Sequence, residues 1–356
     1  MKLEEIRRRI DQIDRELLVL LQERMGLAMR TKKFKKSVAD PQREQHVLAR
    51  AERMSHDLVE RSFARQLVRT IIAESKRIQR GDRLLVAFQG EHGAFGEVAA
   101  RRLVPGGAYI PCMEFADVFQ GVRSAELDLG VVPVENSLEG AVTQVNHLLA
   151  ATELNVIGEV HIPIQHCLLA AQESDLNEIR IAYSHPQALA QCQTFLSRHR
   201  MEPRPFYDSA GAAKMLAREN PRSAAAIAST LCAELYDLDI LDQQIEDGPA
   251  NSTRFILLGR EPYAGPADKT MIIFTAAHQA GRLYNILSLF ADAGINLTRI
   301  ASMPVGPDPG RYSFFLDFEG CLQDSGVSAV LDELRKIALT VKCLGSFPAD
   351  KGALRS

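Results

Sequence analysis

"GPANSTRFILLG" runs from Gly248 to Gly259. Four small or polar residues, Asn251, Ser252, Thr253 and Arg254, lead straight into the apolar run Phe255–Leu258. A short apolar run of this kind reads as a buried strand. Its polar mouth is either loop punctuation or a strand end that grips a polar ligand. Related runs lie upstream: LLVAF at 84–88, LGVVPV at 129–134, IRIAY at 179–183 and AAAIA at 224–228. Helical stretches separate them, so residues 84–261 read as an α/β domain with mostly parallel strands.

Outside this stretch the pattern changes on both sides. Residues 3–36 hold no proline and one glycine, Gly26, with apolar positions 6, 10, 13, 17, 20–21 and 27–28 at helical spacing. A helix of that length, about 50 Å at 1.5 Å per residue, cannot bury its stripe within an 80-residue domain, which predicts an intertwined helical dimer. Asp40-Pro41 reads as an N-cap with proline at the first helical position. A third helix is expected from about Leu58 to Gln79, and QRGDR (79–83) reads as a linker. A second linker, EPYAGPADK (261–269), precedes strand, helix, strand, strand, helix, strand over 270–348. That βαββαβ order is ferredoxin-like. The expected domains are therefore 1–80, 84–261 and 270–348.

Composition narrows the class. The 356 residues are 46% hydrophobic and 24% charged, ordinary for a soluble multidomain protein. No apolar stretch is long enough to span a bilayer. The mixed-charge start, MKLEEIRRRIDQID, lacks an apolar signal core, so a cytoplasmic protein is expected. The six cysteines form no CxxC pair, which argues against a zinc site or a disulfide framework. The net charge of −3 divides into +8 over residues 1–80 and −11 over the rest. A basic segment fits a nucleic acid, a solvated face or a small, multiply anionic substrate. The absence of interleaved aromatics speaks against the first.

The basic segment contains a patterned set. Arg24 and Lys35 are 11 positions apart and fall within about 20° of each other on a helix. Arg7 lies about 100° off that line, facing another surface or another protomer. Ser75 and Gln79 share a helix face, and Arg43 and Glu44 follow the Asp40 cap. Singly, each is ordinary surface decoration. As a set they closely resemble the all-helical chorismate mutase family over 1–80. The resemblance implies that Arg7, Arg24, Lys35, Asp40, Arg43, Glu44, Ser75 and Gln79 bind chorismate, with Arg7 entering the partner's pocket. Guanidinium groups suit a dicarboxylate. The rearrangement is pericyclic, so it needs a compact conformer and donors at the ether oxygen rather than a nucleophile. Lys35 and Gln79 are the expected donors, with Glu44 on a substrate hydroxyl.

Polar clusters also follow the strands of the middle segment. GEHGAFGEVAA, from Gly90, reads as a strand-to-helix turn or an anion site at a helix N-terminus. VVPVENS carries Glu135, Asn136 and Ser137; IAYSHPQALAQC carries Ser184, His185 and Gln191. Each alone is a cap or turn. Together VPVENS, HCLL (166–169), SHPQ and TRF closely resemble prephenate dehydratase over 84–260. The resemblance implies two lobes like a type II periplasmic binding protein, with chain crossings near 160–165 and 240–250. It also implies an essential Thr253 and prephenate contacts at Glu135, Asn136, Ser137, Ser184, His185, Gln191 and Arg254. Gly96 and Ala210 stand where many relatives carry a hydroxyl, and Ser209 is the expected substitute for the latter.

Residues 270–348 resemble an ACT domain, the amino-acid-sensing module of this family. The resemblance implies a phenylalanine site through Gly281, Leu283, Asn296 and Leu297. Here the family's GAL reads Gly281-Arg282-Leu283, and its ESRP reads Ala301-Ser302-Met303-Pro304. The whole chain thus reads as a bifunctional chorismate mutase–prephenate dehydratase without metal or redox cofactor. The alternatives are a ligand-sensing regulator with an inactive cleft, a relative that decarboxylates prephenate without aromatising it, and a dehydratase that prefers arogenate.

Overall fold

The computed structural model describes residues 3–35, 37–248, 251–277, 279–304 and 312–351. The N-terminal segment is helical: α1 (Leu3–Thr31), α2 (Pro41–Met54) and α3 (Arg61–Arg80). The first helix stops at Thr31 and passes into a 3₁₀ turn at Lys32–Phe34, short of the predicted end. Lys36, that end, lies outside the described residues. Asp40 caps α2 as expected, its side chain accepting from the Arg43 amide at 3.0 Å, with Pro41 at the first position.

The middle segment builds two sheets. The first lobe contains β1 (Leu85–Gln89), α4 (Phe95–Leu103), β2 (Ala108–Cys112), α5 (Phe115–Arg123), β3 (Leu129–Asn136), β4 (Gly140–Ala141), α6 (Thr143–Ala151) and β5 (Asn155–Pro163). The second contains β6 (Cys167–Ala170), β7 (Ile181–Ser184), α7 (Pro186–Ala190), α8 (Gln193–Arg198), β8 (Glu202–Pro205), α9 (Ser209–Glu219), β9 (Ala224–Ala228), α10 (Thr230–Tyr236) and β10 (Asp239–Gln243). The chain then returns as β11 (Ser252–Gly259) into the first sheet, whose order is β2-β1-β3-β11-β5 with β4 beside β3. The second sheet runs β10-β6-β9-β7-β8. The chain leaves the first lobe after Pro163 and the second after Gln243, near the crossings at 160–165 and 240–250 that the resemblance implies.

The sheets are less parallel than expected. β11 is antiparallel to both β3 and β5, and β6 is antiparallel to β9 and β10. The reason is the double crossing. β11 comes back from the other lobe and enters the sheet at the end where β3 leaves it, so Thr253 pairs with Asn136.

The C-terminal segment is β12 (Lys269–Ala276), α11 (Arg282–Asp292), β13 (Leu297–Pro304), β14 (Tyr312–Glu319), α12 (Ser325–Ile337) and β15 (Thr340–Phe347). Its antiparallel sheet has the order β13-β14-β12-β15, the ferredoxin-like arrangement. Alternation along β12 buries both faces. Ile272 and Phe274 pack on the helix side with Ile286, Phe290 and Leu334. Met271 and Ile273 join Val132, Val134, Ile256 and Leu258 of the first lobe in one core. The C-terminal sheet therefore supplies part of the layer covering the first lobe.

Candidate active sites

A cavity of about 450 Å³ lies between the two lobes. Asn136, His185, Gln191 and Thr253 line it. Asn136 is oriented without ambiguity. Its Oδ1 accepts from the Leu138 and Glu139 amides at 2.9 and 3.1 Å, so its Nδ2 must donate elsewhere. It donates to Thr253 Oγ1 at 2.8 Å. Thr253 is thereby an acceptor from Asn136 and keeps its own proton for the cleft.

The opposite wall holds Gln191, whose Oε1 lies 2.9 Å from His166 Nε2. His166 is buried at the lobe crossing, and burial lowers its pKa despite the opposing pull of Gln191 and Glu246. A neutral His166 donating from Nε2 leaves the Gln191 amide protons for a ligand. His166 carries the quoted HCLL run, yet sequence reasoning gave it no role; a histidine before a buried strand at a lobe crossing was the available signal.

Other predicted residues sit beside the cleft. Ser137 Oγ lies 3.2 Å from Asn251 Oδ1 and accepts from the Ser252 amide at 3.0 Å, tying the end of β3 to the start of β11. Ser184 is fully buried, its Oγ 2.6 Å from the Ile227 carbonyl and 2.9 Å from Ser209 Oγ. Ser209 itself lines the cleft, as do Gly96 and Ala210. His185 caps α7, accepting from the Gln187 amide at 3.3 Å.

Two predictions for this site are corrected. Arg254 and Glu135 do not line the cleft: alternation along β11 puts Arg254 on the face opposite Thr253, and the extra residue of β3 at Val134 puts Asn136 rather than Glu135 on the cleft face with Pro133. Arg254 is 5% exposed and bonds Glu159 from Nε at 2.7 Å, with Asp317 of β14 on another arm. Burial works against the Arg254 cation, but Asp317 and Glu159 raise its pKa overall. Glu135 lies 3.3 Å from Arg299 of β13. Among the described lining residues there is no lysine or arginine. Helix N-termini open onto the cleft instead: α4 presents Ala94 and Phe95, α9 presents Ser209 and Ala210, and Ser229 opens α10, while the carboxylates of Glu139 and Asp208, the latter capping α9, also line it.

The helical segment assembles a partial constellation. Arg24 Nη1 donates to Ser75 Oγ at 2.6 Å, joining α1 to α3, and Glu44 pairs with Lys76 at 2.5 Å, joining α2 to α3. Ser75 and Gln79 are buried. Gln79 spends its amide protons on Thr31 Oγ1 at 2.9 Å and on the Ala28 carbonyl, so within one chain it is not offered to a ligand as predicted. Lys35, Asp40 and Arg7 are not buried. Arg7 and Arg24 are 17 positions apart on α1, about 25 Å along the axis. Lys76 is the member that sequence reasoning missed.

In the C-terminal segment Gly281 caps α11 with φ +77°, the left-handed conformation glycine supplies cheaply, and Leu283 packs into the helix-side core. Asn296 Nδ2 donates to Glu319 Oε1 at 3.0 Å, and Leu297 opens β13. The stretch of α11 from Tyr284 to Asp292, about 14 Å, stands between the two pairs.

The chorismate mutase type II family model matches residues 6–80, the prephenate dehydratase model residues 86–263, and the ACT domain model residues 270–338. A bifunctional chorismate mutase/prephenate dehydratase of Neisseria gonorrhoeae is 35% identical over 348 residues, 96% of each chain. The chain belongs to this bifunctional family. Arogenate dehydratase/prephenate dehydratase 2 of Arabidopsis thaliana is 38% identical over 288 residues, 78% of this chain and 76% of that one. The solved prephenate dehydratase of Arthrobacter aurescens, in complex with L-Phe, is 33% identical with a TM-score of 0.67, covering 74% of this chain and 90% of that one. The enzyme is a chorismate mutase and a prephenate dehydratase: it rearranges chorismate to prephenate, then decarboxylates and dehydrates prephenate to phenylpyruvate. No helix among the described residues is long and apolar enough to cross a membrane.

Proposed function

We propose that Thr253 is the donor to the leaving hydroxyl in the dehydratase reaction. The observation that carries this reading is the Asn136 amide, fixed at both ends, which makes Thr253 an acceptor on one side and a donor toward the cleft. As the ring carboxylate leaves as CO2, the electron pair of its C–C bond enters the ring and the C–O bond opposite breaks. The departing oxygen leaves as water with a proton, and a donor aimed at it lowers the barrier. Aromatisation drives the step. The helix N-termini of α4 and α9 receive the carboxylates, in a cleft whose described lining has no lysine or arginine. Gln191, set by His166, and Asn136 complete the contacts. Incubating the enzyme with chorismate and identifying the product tests the reading: phenylpyruvate is expected from the parent, and prephenate should accumulate with Thr253→Ala. Parental phenylpyruvate formation by that variant would overturn it.

The mutase site is a composite of two chains. Arg24, Lys35, Asp40, Arg43, Glu44, Ser75 and Gln79 come from one chain and Arg7 from its partner, a reading supported by the axial distance between Arg7 and Arg24. The stripe Ile6, Ile10, Ile13, Leu17 and Leu20, each between 38% and 59% exposed, is the surface for the second copy. Pairing would also reorganise the end of α1 and release Gln79 to the ether oxygen. Phenylalanine is the effector of the ACT domain, supported by the L-Phe complex of the Arthrobacter enzyme. Gly281 and Leu283 would act from one domain and Asn296 and Leu297 from its partner, because α11 separates them. Titration calorimetry with phenylalanine tests this; no heat and no inhibition would leave the domain a dimerisation module. Arogenate as a second substrate has the Arabidopsis relative's name behind it and is tested by a parallel assay.

A further inference from the structure

Six charged side chains form a seam between the first lobe and the ACT sheet. Glu135, Glu159 and Arg254 face Lys269, Arg299 and Asp317. Arg254 joins Glu159 to Asp317; Lys269 Nζ reaches Glu159 at 2.9 Å; Arg299 Nε lies 3.3 Å from Glu135. The side chains of Arg254, Glu159, Asp317 and Arg299 are no more than 5% exposed. Apolar residues would cover this surface at lower desolvation cost, so a buried charged seam is weak evidence for stability and better evidence for fixed geometry.

What it fixes follows from the strands. Two cleft residues are chain neighbours of two seam residues, Thr253 of Arg254 and Asn136 of Glu135, and the two pairs are in register across β11 and β3. Immediately beyond the paired positions one step along β11, Arg254 to Phe255, matches two along β3, Glu135 to Pro133, so Val134 is an extra residue that bulges β3. A bulge of this kind bends its strand and re-aims a side chain, here Asn136, unless the facing strand is held.

We propose that Arg254 is a positioning residue for dehydration: its bond to Asp317 lets the ACT sheet hold β11 opposite the bulge of β3 and so keep Thr253 against Asn136. The proposal rests on Thr253 being the donor. In the full-length enzyme, Asp317→Asn removes the charge with little change of shape. Its dehydratase kcat is expected to fall by about three- to ten-fold, no more than loss of the Asn136 amide itself would cost, with the prephenate KM within two-fold and the mutase unchanged. Adding Arg254→Gln should cost less than a further two-fold, because the same bond is already broken. A kcat within two-fold of the parent, or a change in KM alone, would overturn the proposal. If Asp317→Asn does not fold, Arg254→Lys keeps a cation for Glu159 but gives up the fork that reaches Asp317. The same kcat loss is expected there, and a parental kcat overturns the proposal equally. Thr253→Ala, run in parallel, separates the two readings. An active Thr253→Ala enzyme overturns the donor role and the positioning role together. An inactive one beside a fully active Asp317→Asn enzyme overturns the positioning role alone.

Discussion

The dehydratase cleft and the mutase helices differ in how much of a site one chain can finish. The cleft is backed by two sheets with dense apolar cores on either side, and its polar groups hold one another in place. Among the described residues of the first 80, only Met29, Leu48 and Ala64 are buried apolar side chains, while the α1 stripe faces out. The lesson is about packing. A polar side chain can be aimed only as well as the element carrying it is fixed, and helices without a core need a second copy to fix them.

The comparison breaks most sharply at Thr253. Thr253→Ala is expected to lower dehydratase kcat by about 10²–10⁴ and to leave the mutase untouched. A mutase that fell in step would show that the two regions are not independent. Next in size is Glu159→Gln, which leaves Arg254 and Lys269 short of a partner. Unfolding of the dehydratase region by denaturant should weaken by about 3–5 kcal/mol. Burial raises the Glu159 pKa, but Arg254 and Lys269 lower it further, so the folded value lies below the ordinary one. Its stabilisation is therefore full above about pH 4.3 and is lost as pH falls through the folded value. The Gln variant should lack that acid-dependent component.

Leu17→Glu tests the other side. Bringing two carboxylates together in a helix interface costs on the order of 3 kcal/mol or more. Sedimentation should report dissociation of the helical pairing and the mutase should fall by about two orders of magnitude, with prephenate dehydration kept. An unchanged mutase would remove the composite site. The smallest effect is expected for Asn136→Ala. Thr253 then loses one oriented bond, worth about 1–2 kcal/mol, and dehydratase kcat should drop roughly ten-fold. A loss as large as that of Thr253→Ala would give Asn136 a direct part in the chemistry.

Much of this enzyme was legible beforehand because local rules govern the parts concerned. The Asp40-Pro41 helix start and the βαββαβ order follow from caps, periodicity and run length, whereas the lobe crossings came from the resemblance to prephenate dehydratase. Thr253, Asn136 and Gln191 stood at strand and helix ends, where ligands gather in α/β folds. The misses are non-local. Arg254 was expected to contact prephenate because the resemblance put it beside Thr253, but its partners are 95 and 63 residues away. His166 and Gln191 are 25 residues apart and meet only because β6 and α7 lie in one lobe.

By itself the sequence determined the elements, their order, the three-part division and the residue types available to each site, since these depend on spacing and local propensity. Only the tertiary structure decided which face of β11 meets the substrate and which meets the ACT sheet. The same pleat serves both, and its two faces are told apart only by what packs against them.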